Sequence, residues 1–122
     1  MFENEGKRPV VLLVEDEPLV LMDTVEMVRD AGYDVISAPN ADKAIDILES
    51  RTDIRVVVTD VNMPGSMDGL KLAHAVRGRW PPVEIIVVSA LHLSGPLPKR
   101  GLFFLKPYDP IELLGAIHEF TV

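Results

Sequence analysis

The stretch that decides the fold is VVLLVEDE at residues 10–17, in which a five-residue apolar run ends abruptly in three acids. The next residue, Pro18, is well placed as an early residue of a helix. Beyond it, apolar residues recur at helical spacing from Leu21 to Val28, and Gly32 ends the pattern. A short apolar run that is followed by a helix predicts a βα unit.

The same alternation of apolar run and helical pattern continues along the chain. Helices are predicted after Asn40, which is a good N-cap, between Leu72 and Trp80, and after the N-cap Asp109. Alternating strands and helices are typical of βαβ units, so we predict an α/β protein with a parallel sheet. The remaining four strands of this five-stranded sheet are predicted at residues 34–38, 54–60, 85–89 and 102–105.

The connection over residues 91–101 departs from this pattern. It contains Gly95, Pro96 and Pro98, and proline inside a helix removes a hydrogen bond and clashes with the preceding turn. The segment therefore has room for one helical turn at most. The predicted fold is a (βα)₅ doubly wound parallel sheet with its fourth helix truncated or absent.

Length and composition favour one domain with one core. The chain has 122 residues, 48% of them hydrophobic, and we predict a flexible polar leader at residues 1–8 and a domain at residues 9–122. No apolar run approaches the ~20 residues of a membrane span. The absence of cysteine excludes disulfides and fits a cytoplasmic location. A net charge of −7 disfavours nucleic acid and favours a cation ligand or a basic partner surface.

Polar residues of different types follow four of the predicted strands. Because the carboxyl ends of parallel strands meet at one edge of a sheet, where open α/β sheets bind ligands, these residues should lie together. Each has an ordinary interpretation alone, such as acids that complement a helix dipole or a solvated lysine. Their coincidence at four strand ends is what predicts a site, and the residues are Glu15 with Asp16, then Asp60, Ser89 and Lys106.

The residue types at these ends favour phosphate and metal chemistry. Three carboxylates placed close together repel unless a cation lies among them, and an incomplete set of hard oxygen ligands suits Mg²⁺. Lys106 supplies a compact positive charge for a phosphoryl oxygen or a carboxylate. It precedes Pro107, and an X–Pro bond adopts the cis form at low cost, which would aim the lysine differently.

On these residues the chain resembles a response-regulator receiver domain, the phospho-accepting domain of two-component signalling. The resemblance extends from about Pro9 to Phe120 and implies the flavodoxin-like strand order 2-1-3-4-5. It is carried by five short motifs, which are Leu13-Val14-Glu15-Asp16-Glu17, Asp60-Val61-Asn62-Met63-Pro64-Gly65, Met67-Asp68-Gly69, Ser89-Ala90 and Lys106-Pro107.

The resemblance implies that Asp60 accepts a phosphoryl group from a phosphohistidine on a histidine kinase or a histidine phosphotransfer protein. Glu15 and Asp16 would hold Mg²⁺ together with Asp60 and the backbone carbonyl of Asn62. Asn62 would also tune the loss of the phosphoryl group. The phosphorylated domain would then act on a downstream protein target.

The resemblance also implies the residues that contact the phosphoryl group and respond to it. Lys106, Ser89 and Ala90 would bind it, while Ser89 and Phe103 would form the switch. Leu91 would tune dephosphorylation, and because its side chain cannot position an attacking water, we expect slow self-dephosphorylation.

Three features depart from the family's usual pattern. Glu15 stands where aspartate is more common, and Ser66 adds a residue to the loop after Asp60. The segment between Ser89 and Lys106 is short, which alters the face that the family normally uses for output and dimerisation. We therefore expect a monomer or a weak dimer.

Several alternatives remain open from the sequence. The chain is either a free-standing regulator or a receiver excised from a hybrid histidine kinase or a longer regulator. A Mg²⁺-dependent phosphatase that works through an aspartyl phosphate would need a second aspartate where Asn62 stands, so we expect no turnover of an external substrate. A phosphorylation-independent adaptor that kept only the fold is the remaining alternative.

Overall fold

The computed structural model describes residues 7–63, 65 and 67–122. The β-strands of this part of the chain are Val10–Val14 (β1), Asp34–Ala38 (β2), Ile54–Asp60 (β3), Glu84–Ser89 (β4) and Leu102–Leu105 (β5). Its α-helices are Pro18–Asp30 (α1), Ala41–Ser50 (α2), Gly69–Arg79 (α3) and Pro110–Thr121 (α4). The strands agree with the predicted ones, except that β4 begins one residue earlier, at Glu84.

The five strands form one parallel sheet in the order β2-β1-β3-β4-β5. The predicted doubly wound sheet and its strand order are therefore confirmed. Strand β1, which lies between β2 and β3, is buried along its whole length, because both faces of the sheet are covered by helices. One face packs under α2 and α3, and the other packs under α1 and α4.

Side chains alternate between the two layers of the core. From β1, Leu12 belongs to the layer under α2 and α3, where it packs with Leu48 and Leu72. Its neighbour Leu13 belongs to the layer under α1 and α4, together with Val28. This alternation follows from the pleat of a strand, whose successive side chains point to opposite faces.

Short polar side chains begin three of the helices. The Asn40 side chain accepts a hydrogen bond from the Lys43 backbone N–H at 2.9 Å, as the sequence predicted. Asp68 caps α3 in the same way, and Asp109 accepts from the Ile111 N–H at the start of α4. These caps satisfy N–H groups that have no partner within their own helix. Within the described residues, none of the helices is long and apolar enough to cross a membrane.

The connection between β4 and β5, residues 90–101, contains no helix. The prediction of a truncated or absent fourth helix is confirmed, and the structure shows that this helix is absent. The connection ends in a tight turn in which the Gly101 N–H donates to the Pro98 carbonyl at 3.0 Å, and Arg100 takes a φ of 62°. Pro98 is buried, and Leu93 and Leu97 pack onto the core layer under α2 and α3.

Two sequence predictions fall partly or wholly beyond what the structure describes. Residues 1–6 of the predicted leader lie outside the described residues, while Lys7 and Arg8 are exposed. Ser66, the additional loop residue, also lies outside them.

Candidate functional site

The carboxyl ends of the parallel strands bring the predicted acids together. Glu15 and Asp16 follow β1, and Asp60 is the last residue of the neighbouring strand β3. Each offers a carboxylate oxygen, and these oxygens lie within 4.8 Å of one another. Glu15 and Asp60 are buried and Asp16 is half-buried, so this small edge of the sheet concentrates negative charge.

Glu15 is the most constrained of the three acids. Its Oε2 accepts a hydrogen bond from the Glu17 backbone N–H at 3.0 Å, and its Oε1 lies 3.5 Å from Lys106 Nζ. Burial raises the pKa of the Glu15 carboxyl above its ordinary value, and the charge of Asp60 raises it further against the opposing effects of Glu17 N–H and Lys106. A raised pKa means that the charged form is under-stabilised here, which a cation would correct.

Asp60 is held on both of its carboxylate oxygens. Oδ1 accepts from the Val61 backbone N–H at 2.8 Å, and Oδ2 lies 3.3 Å from Lys106 Nζ. The Thr59 hydroxyl donates to the Asp60 carbonyl oxygen at 2.8 Å. Asp60 is 8% exposed, so these contacts fix a nearly buried carboxylate at the end of β3.

Gly69, the first residue of α3, packs directly against the backbone of Asp60. A Cβ built there would collide with the Asp60 carbonyl oxygen and would lie 2.9 Å from Thr59 Oγ1. The Gly69 N–H donates to the Val61 carbonyl at 2.9 Å. Glycine is therefore required here by close approach, and α3 fixes the backbone that carries Asp60.

Lys106 reaches the acids from β5. The Lys106–Pro107 peptide bond is cis, and the Lys106 backbone N–H donates to the Ser89 carbonyl at 2.8 Å. Although burial alone lowers the pKa of the Lys106 ammonium, the charges of Asp60 and Glu15 outweigh it and leave the pKa raised. Lys106 is therefore a stable positive charge between two carboxylates.

The other predicted residues surround this group. Ser89 is 1% exposed, and its Oγ accepts a hydrogen bond from the Leu91 N–H at 3.1 Å. Ala90 and Asn62 are exposed at the ends of β4 and β3, and the Leu91 side chain is 65% exposed. Phe103 is half-buried and packs on the core layer under α2 and α3.

Tyr108 is a neighbour of the site that the sequence did not reveal. It is half-buried, its ring lies 6.2 Å from that of Phe104, and burial raises the pKa of its phenol. Tyr108 lines a small cavity shared with Glu15, Asp60 and Lys106. Its place two residues after Lys106 is the one sequence signal that could have pointed to it, and a tyrosine in that position has no fixed role in a sequence pattern.

An apolar groove opens beside Lys106 on the surface of α1. It has a volume of about 540 Å³. Its walls come from α1 and from the loop that joins β5 to α4, and they include Val20, Thr24, Met27, Pro107, Tyr108 and Pro110. The groove therefore joins an apolar surface to the charged site.

A larger depression of about 910 Å³ lies at the opposite, amino end of the strands. It is lined by residues of both charges, such as Arg8, Asp34 and Arg55, and by none of the strand-end residues. The volume of a cavity therefore does not identify the candidate functional site. The convergence of three acids and a lysine is what points to it.

The three carboxylates and the lysine at the carboxyl edge of this parallel sheet form the arrangement expected from the resemblance to a phosphoryl-accepting signalling domain. The chain belongs to the response regulator receiver domain family, whose model matches residues 11–118. It is accordingly a receiver domain, homologous to those of two-component response regulators and hybrid kinases.

Individual relatives support this membership. The chain is 34% identical over 115 residues to the sensor kinase CckA of Brucella abortus (strain 2308), covering 89% of this chain and 12% of the relative. It is 30% identical over 104 residues to the response regulator receiver protein Anae109_2439 of Anaeromyxobacter sp. (strain Fw109-5), covering 85% of this chain and 42% of the relative. The chain thus spans less than half the length of either relative.

A solved structure gives the same answer for the fold. The crystal structure of a response regulator receiver protein from Sinorhizobium medicae WSM419 superposes with a TM-score of 0.83 at 28% identity, covering 94% of this chain and 95% of that one. The fold assigned from the sequence and the family found by comparison therefore coincide.

Proposed function

We propose that Asp60 is the phosphoacceptor of this receiver and takes its phosphoryl group from a phosphohistidine on a histidine kinase or histidine phosphotransfer protein. The observation that carries the proposal is the 3.3 Å approach of Lys106 Nζ to Asp60 Oδ2 beside two further acids. Residues 9–122 would form the receiver, with residues 1–8 as its leader.

The transfer exchanges one bond to phosphorus for another. An Asp60 carboxylate oxygen forms a P–O bond as the P–N bond of the donor breaks, and the donor imidazole keeps the electron pair and takes up a proton. Such a reaction needs positioning and charge neutralisation more than covalent help. Lys106 already lies between Asp60 and Glu15, from where it can pair with a phosphoryl oxygen.

Mg²⁺ is the proposed cofactor, held by Glu15, Asp16, Asp60 and the backbone carbonyl of Asn62. The donor set fits, because it consists of oxygen atoms, and because the raised pKa of the Glu15 carboxyl marks a shortage of positive charge. When bound, the ion would neutralise negative charge on the phosphoryl oxygens. The longer reach of glutamate at position 15 also allows contact through a water molecule.

Ser89 and Ala90 are proposed to bind the phosphoryl group, and Ser89 and Phe103 to report its presence. Ser89 lies at the end of β4 next to β3, with its hydroxyl oxygen already in a hydrogen bond to the Leu91 N–H. A phosphoryl oxygen on Asp60 would be negatively charged and therefore a strong hydrogen-bond acceptor, so it would draw the hydroxyl proton of Ser89 toward itself. Phe103 packs on the core layer under α2 and α3, and we propose that its side chain changes position when Ser89 does.

The apolar groove beside Lys106 supports a protein donor. The α1 residues that line it include the exposed Val20, and the same helix also exposes Leu19 at 76% and Met22 at 64%. The groove reaches Lys106, which contacts Asp60. We infer that the phosphohistidine partner docks across α1, and that a different protein target receives the output. The expected location is the cytoplasm and the expected assembly is a monomer or weak dimer, which sedimentation over a concentration series would test.

The direct experiment is mass spectrometry after incubation with acetyl phosphate and Mg²⁺. Wild type should gain one phosphoryl group, and Asp60→Asn should gain none. Asp46→Asn, which removes an exposed carboxylate on α2, is the matched control and should be modified like wild type. If wild type stays unmodified with acetyl phosphate and with histidine kinases alike, the adaptor alternative replaces this proposal.

We propose no turnover of an external substrate. A phosphatase that uses an aspartyl phosphate needs an acid two residues after the acceptor, and that position is Asn62. Incubation with a generic phosphomonoester should therefore release no phosphate beyond one equivalent. Repeated turnover that Asp60→Asn abolishes would place the protein among the enzymes instead.

A further inference from the structure

The second half of the connection between β4 and β5, residues 96–101, is tied to the neighbouring helix α3. His74 Nε2 lies 2.8 Å from the Pro96 carbonyl oxygen, and since a carbonyl only accepts, this nitrogen donates. Arg77 Nε donates to the Lys99 carbonyl at 2.8 Å. The turn itself is closed by the hydrogen bond from Gly101 to Pro98.

Arg77 is the centre of this attachment. Its side chain is 15% exposed, and its Nη1 donates to the carbonyls of Pro81 at 2.6 Å and Val83 at 2.9 Å. One guanidinium therefore joins α3, the α3–β4 turn and the second half of the connection. Burial lowers the pKa of Arg77, but the ion pair with Glu84 at 3.7 Å opposes this effect.

Arg100 makes a second attachment to the α3–β4 turn, at the Pro81 carbonyl that Arg77 also contacts. Its Nη2 donates to the Pro81 carbonyl at 2.7 Å, and its Nε lies 3.5 Å from Glu84 Oε1. The residue has a φ of 62°, a conformation that costs a non-glycine residue free energy. The side-chain contacts of Arg100 explain why an arginine stands there instead of the glycine that the backbone would favour.

The first half of the connection, residues 90–95, is attached in a different way. Its hydrogen bond among the described residues is the one from the Leu91 N–H to Ser89 Oγ, at 3.1 Å. Ala90, Leu91, His92 and Ser94 are exposed, whereas Leu93 is half-buried and packs on the core layer under α2 and α3. The position of residues 90–92, which precede Leu93, therefore depends on the hydroxyl group that is proposed to turn toward the phosphoryl group.

We propose that the connection has two independently held parts: residues 96–101 are clamped to α3 and the α3–β4 turn by Arg77, His74 and Arg100 and do not respond to the site, whereas residues 90–92 are held through Ser89 and move on phosphorylation. Leu93, packed on the core, separates the two parts. The inference about movement rests on the proposed function. Because this connection contains no helix, the clamp fixes the chain at the edge of the sheet and confines the response to the residues before Leu93.

The two tethers can be separated in the unphosphorylated protein by residue-resolved amide hydrogen exchange. Ser89→Ala should raise the exchange rate of the Leu91 amide about two- to tenfold, the factor that corresponds to one hydrogen bond, and leave the Gly101 amide unchanged. Arg77→Met should raise the exchange rate of the Gly101 amide and leave that of the Leu91 amide unchanged. If either substitution raises both rates equally, the two parts are not independent and the proposal is wrong.

Arg77 has several partners, so a second variant that removes a single contact is needed beside Arg77→Met. His74→Ala is the second variant, because His74 is exposed and its ring nitrogen bonds the clamped half alone. It should raise the exchange rate of the Gly101 amide and leave that of Leu91 as in wild type. Unchanged exchange at Gly101 in both His74→Ala and Arg77→Met would overturn the clamp.

The same measurement with acetyl phosphate and Mg²⁺ tests the response, with the phosphoryl content of each sample read by mass. On phosphorylation, exchange of the Leu91 amide should rise in wild type while that of Gly101 stays constant. In Arg77→Met, phosphorylation should raise the exchange rate of the Gly101 amide as well as that of Leu91. If phosphorylation of wild type changes the exchange rates of both amides, or of neither, the inference is contradicted. If no phosphoryl group is added, the proposed function is contradicted, and the unphosphorylated variants alone decide whether the two parts are held independently.

Discussion

The Glu15 carboxylate is a buried acid whose charge the fold does not fully stabilise. It is 7% exposed and shares its surroundings with Asp60, so its pKa is raised by burial first and by the neighbouring charge next. Lys106 offsets part of this effect without removing it. The charge of an acid in such a position weakens the metal-free fold, which supports the proposal that Glu15 binds a cation.

This cost gives a prediction for Glu15→Gln. Glutamine keeps the acceptor for the Glu17 N–H and removes the buried charge, so the metal-free variant should be more stable than wild type at neutral pH, by on the order of 1 kcal/mol. Because the folded pKa of Glu15 is raised, wild type should lose stability as pH rises from the ordinary value of 4.5 through the folded pKa.

Urea unfolding without metal over a pH series measures both effects. Glu17→Gln is the matched control, since Glu17 is an exposed acid two residues away and its replacement should leave the stability close to that of wild type. A Glu15→Gln variant that is less stable than wild type at neutral pH would show that the ion pair with Lys106 outweighs burial.

Leu91 gives a second prediction at the scale of one residue. Its side chain is 65% exposed beside Ser89, and an apolar group there cannot orient a water molecule for attack on the phosphoryl group. Leu91→Glu should shorten the phosphoryl half-life about tenfold, because a carboxylate can act as a general base. Decay is followed by mass after removal of acetyl phosphate, with Leu91→Met as the control of equal polarity; equal half-lives in the two variants would contradict the role.

The strand-end residues could be identified from the sequence, because a parallel sheet dictates that its carboxyl ends meet. Glu15, Asp60 and Lys106 each have an ordinary interpretation alone, and their common placement after apolar runs predicted that they meet. Gly69 and Tyr108 could not be identified in this way. Their importance depends on which backbone or side chain lies opposite them, and a linear pattern does not contain that information.

At the scale of elements, helix α3 is docked through its first residue. Gly69 lies against the carbonyl of Asp60, where a Cβ would be 2.6 Å from the carbonyl carbon. We predict that Gly69→Ala forces α3 away from β3 and costs about 2 kcal/mol or more in free energy of unfolding. Because β3 carries Asp60, the proposed phosphoacceptor, phosphorylation by acetyl phosphate should also slow.

Gly78 in the same helix provides the control. A Cβ there meets nothing within 4 Å, so Gly78→Ala should stabilise the protein by roughly 0.5–1 kcal/mol through helix propensity. Thermal unfolding of both variants gives the comparison. Equal stability of the two would mean that the contact with Asp60 relaxes freely, and α3 would not be what positions the acceptor.

The predicted elements were correct where the sequence pattern reports a local property. Strand β5 was predicted at its exact bounds, and the proline-rich connection before it was predicted to lack a full helix. The arrangement of that connection could not be predicted. It depends on Arg77 and His74, which are separated from it by a whole strand and would be taken from the sequence as ordinary solvated residues of α3.

At the scale of the molecule, the fold and the site are coupled through charge. The chain carries a net charge of −7, and three carboxylates converge within 4.8 Å at one edge of its sheet. A cation that binds the folded state alone stabilises the whole fold in proportion to the logarithm of its concentration. We therefore predict that Mg²⁺ at a hundredfold its dissociation constant raises the free energy of unfolding by about 2.7 kcal/mol.

Thermal unfolding across a Mg²⁺ series tests this prediction, and NaCl at matched ionic strength separates binding from the screening of exposed charges. Asp16→Asn should lose most of the increase, because Asp16 is one of the three converging acids. Asp46→Asn removes the same charge from an exposed position on α2 and should keep it. If both variants respond to Mg²⁺ as wild type does, the stabilisation comes from general charge screening, and the acids at the carboxyl edge do not form a metal site.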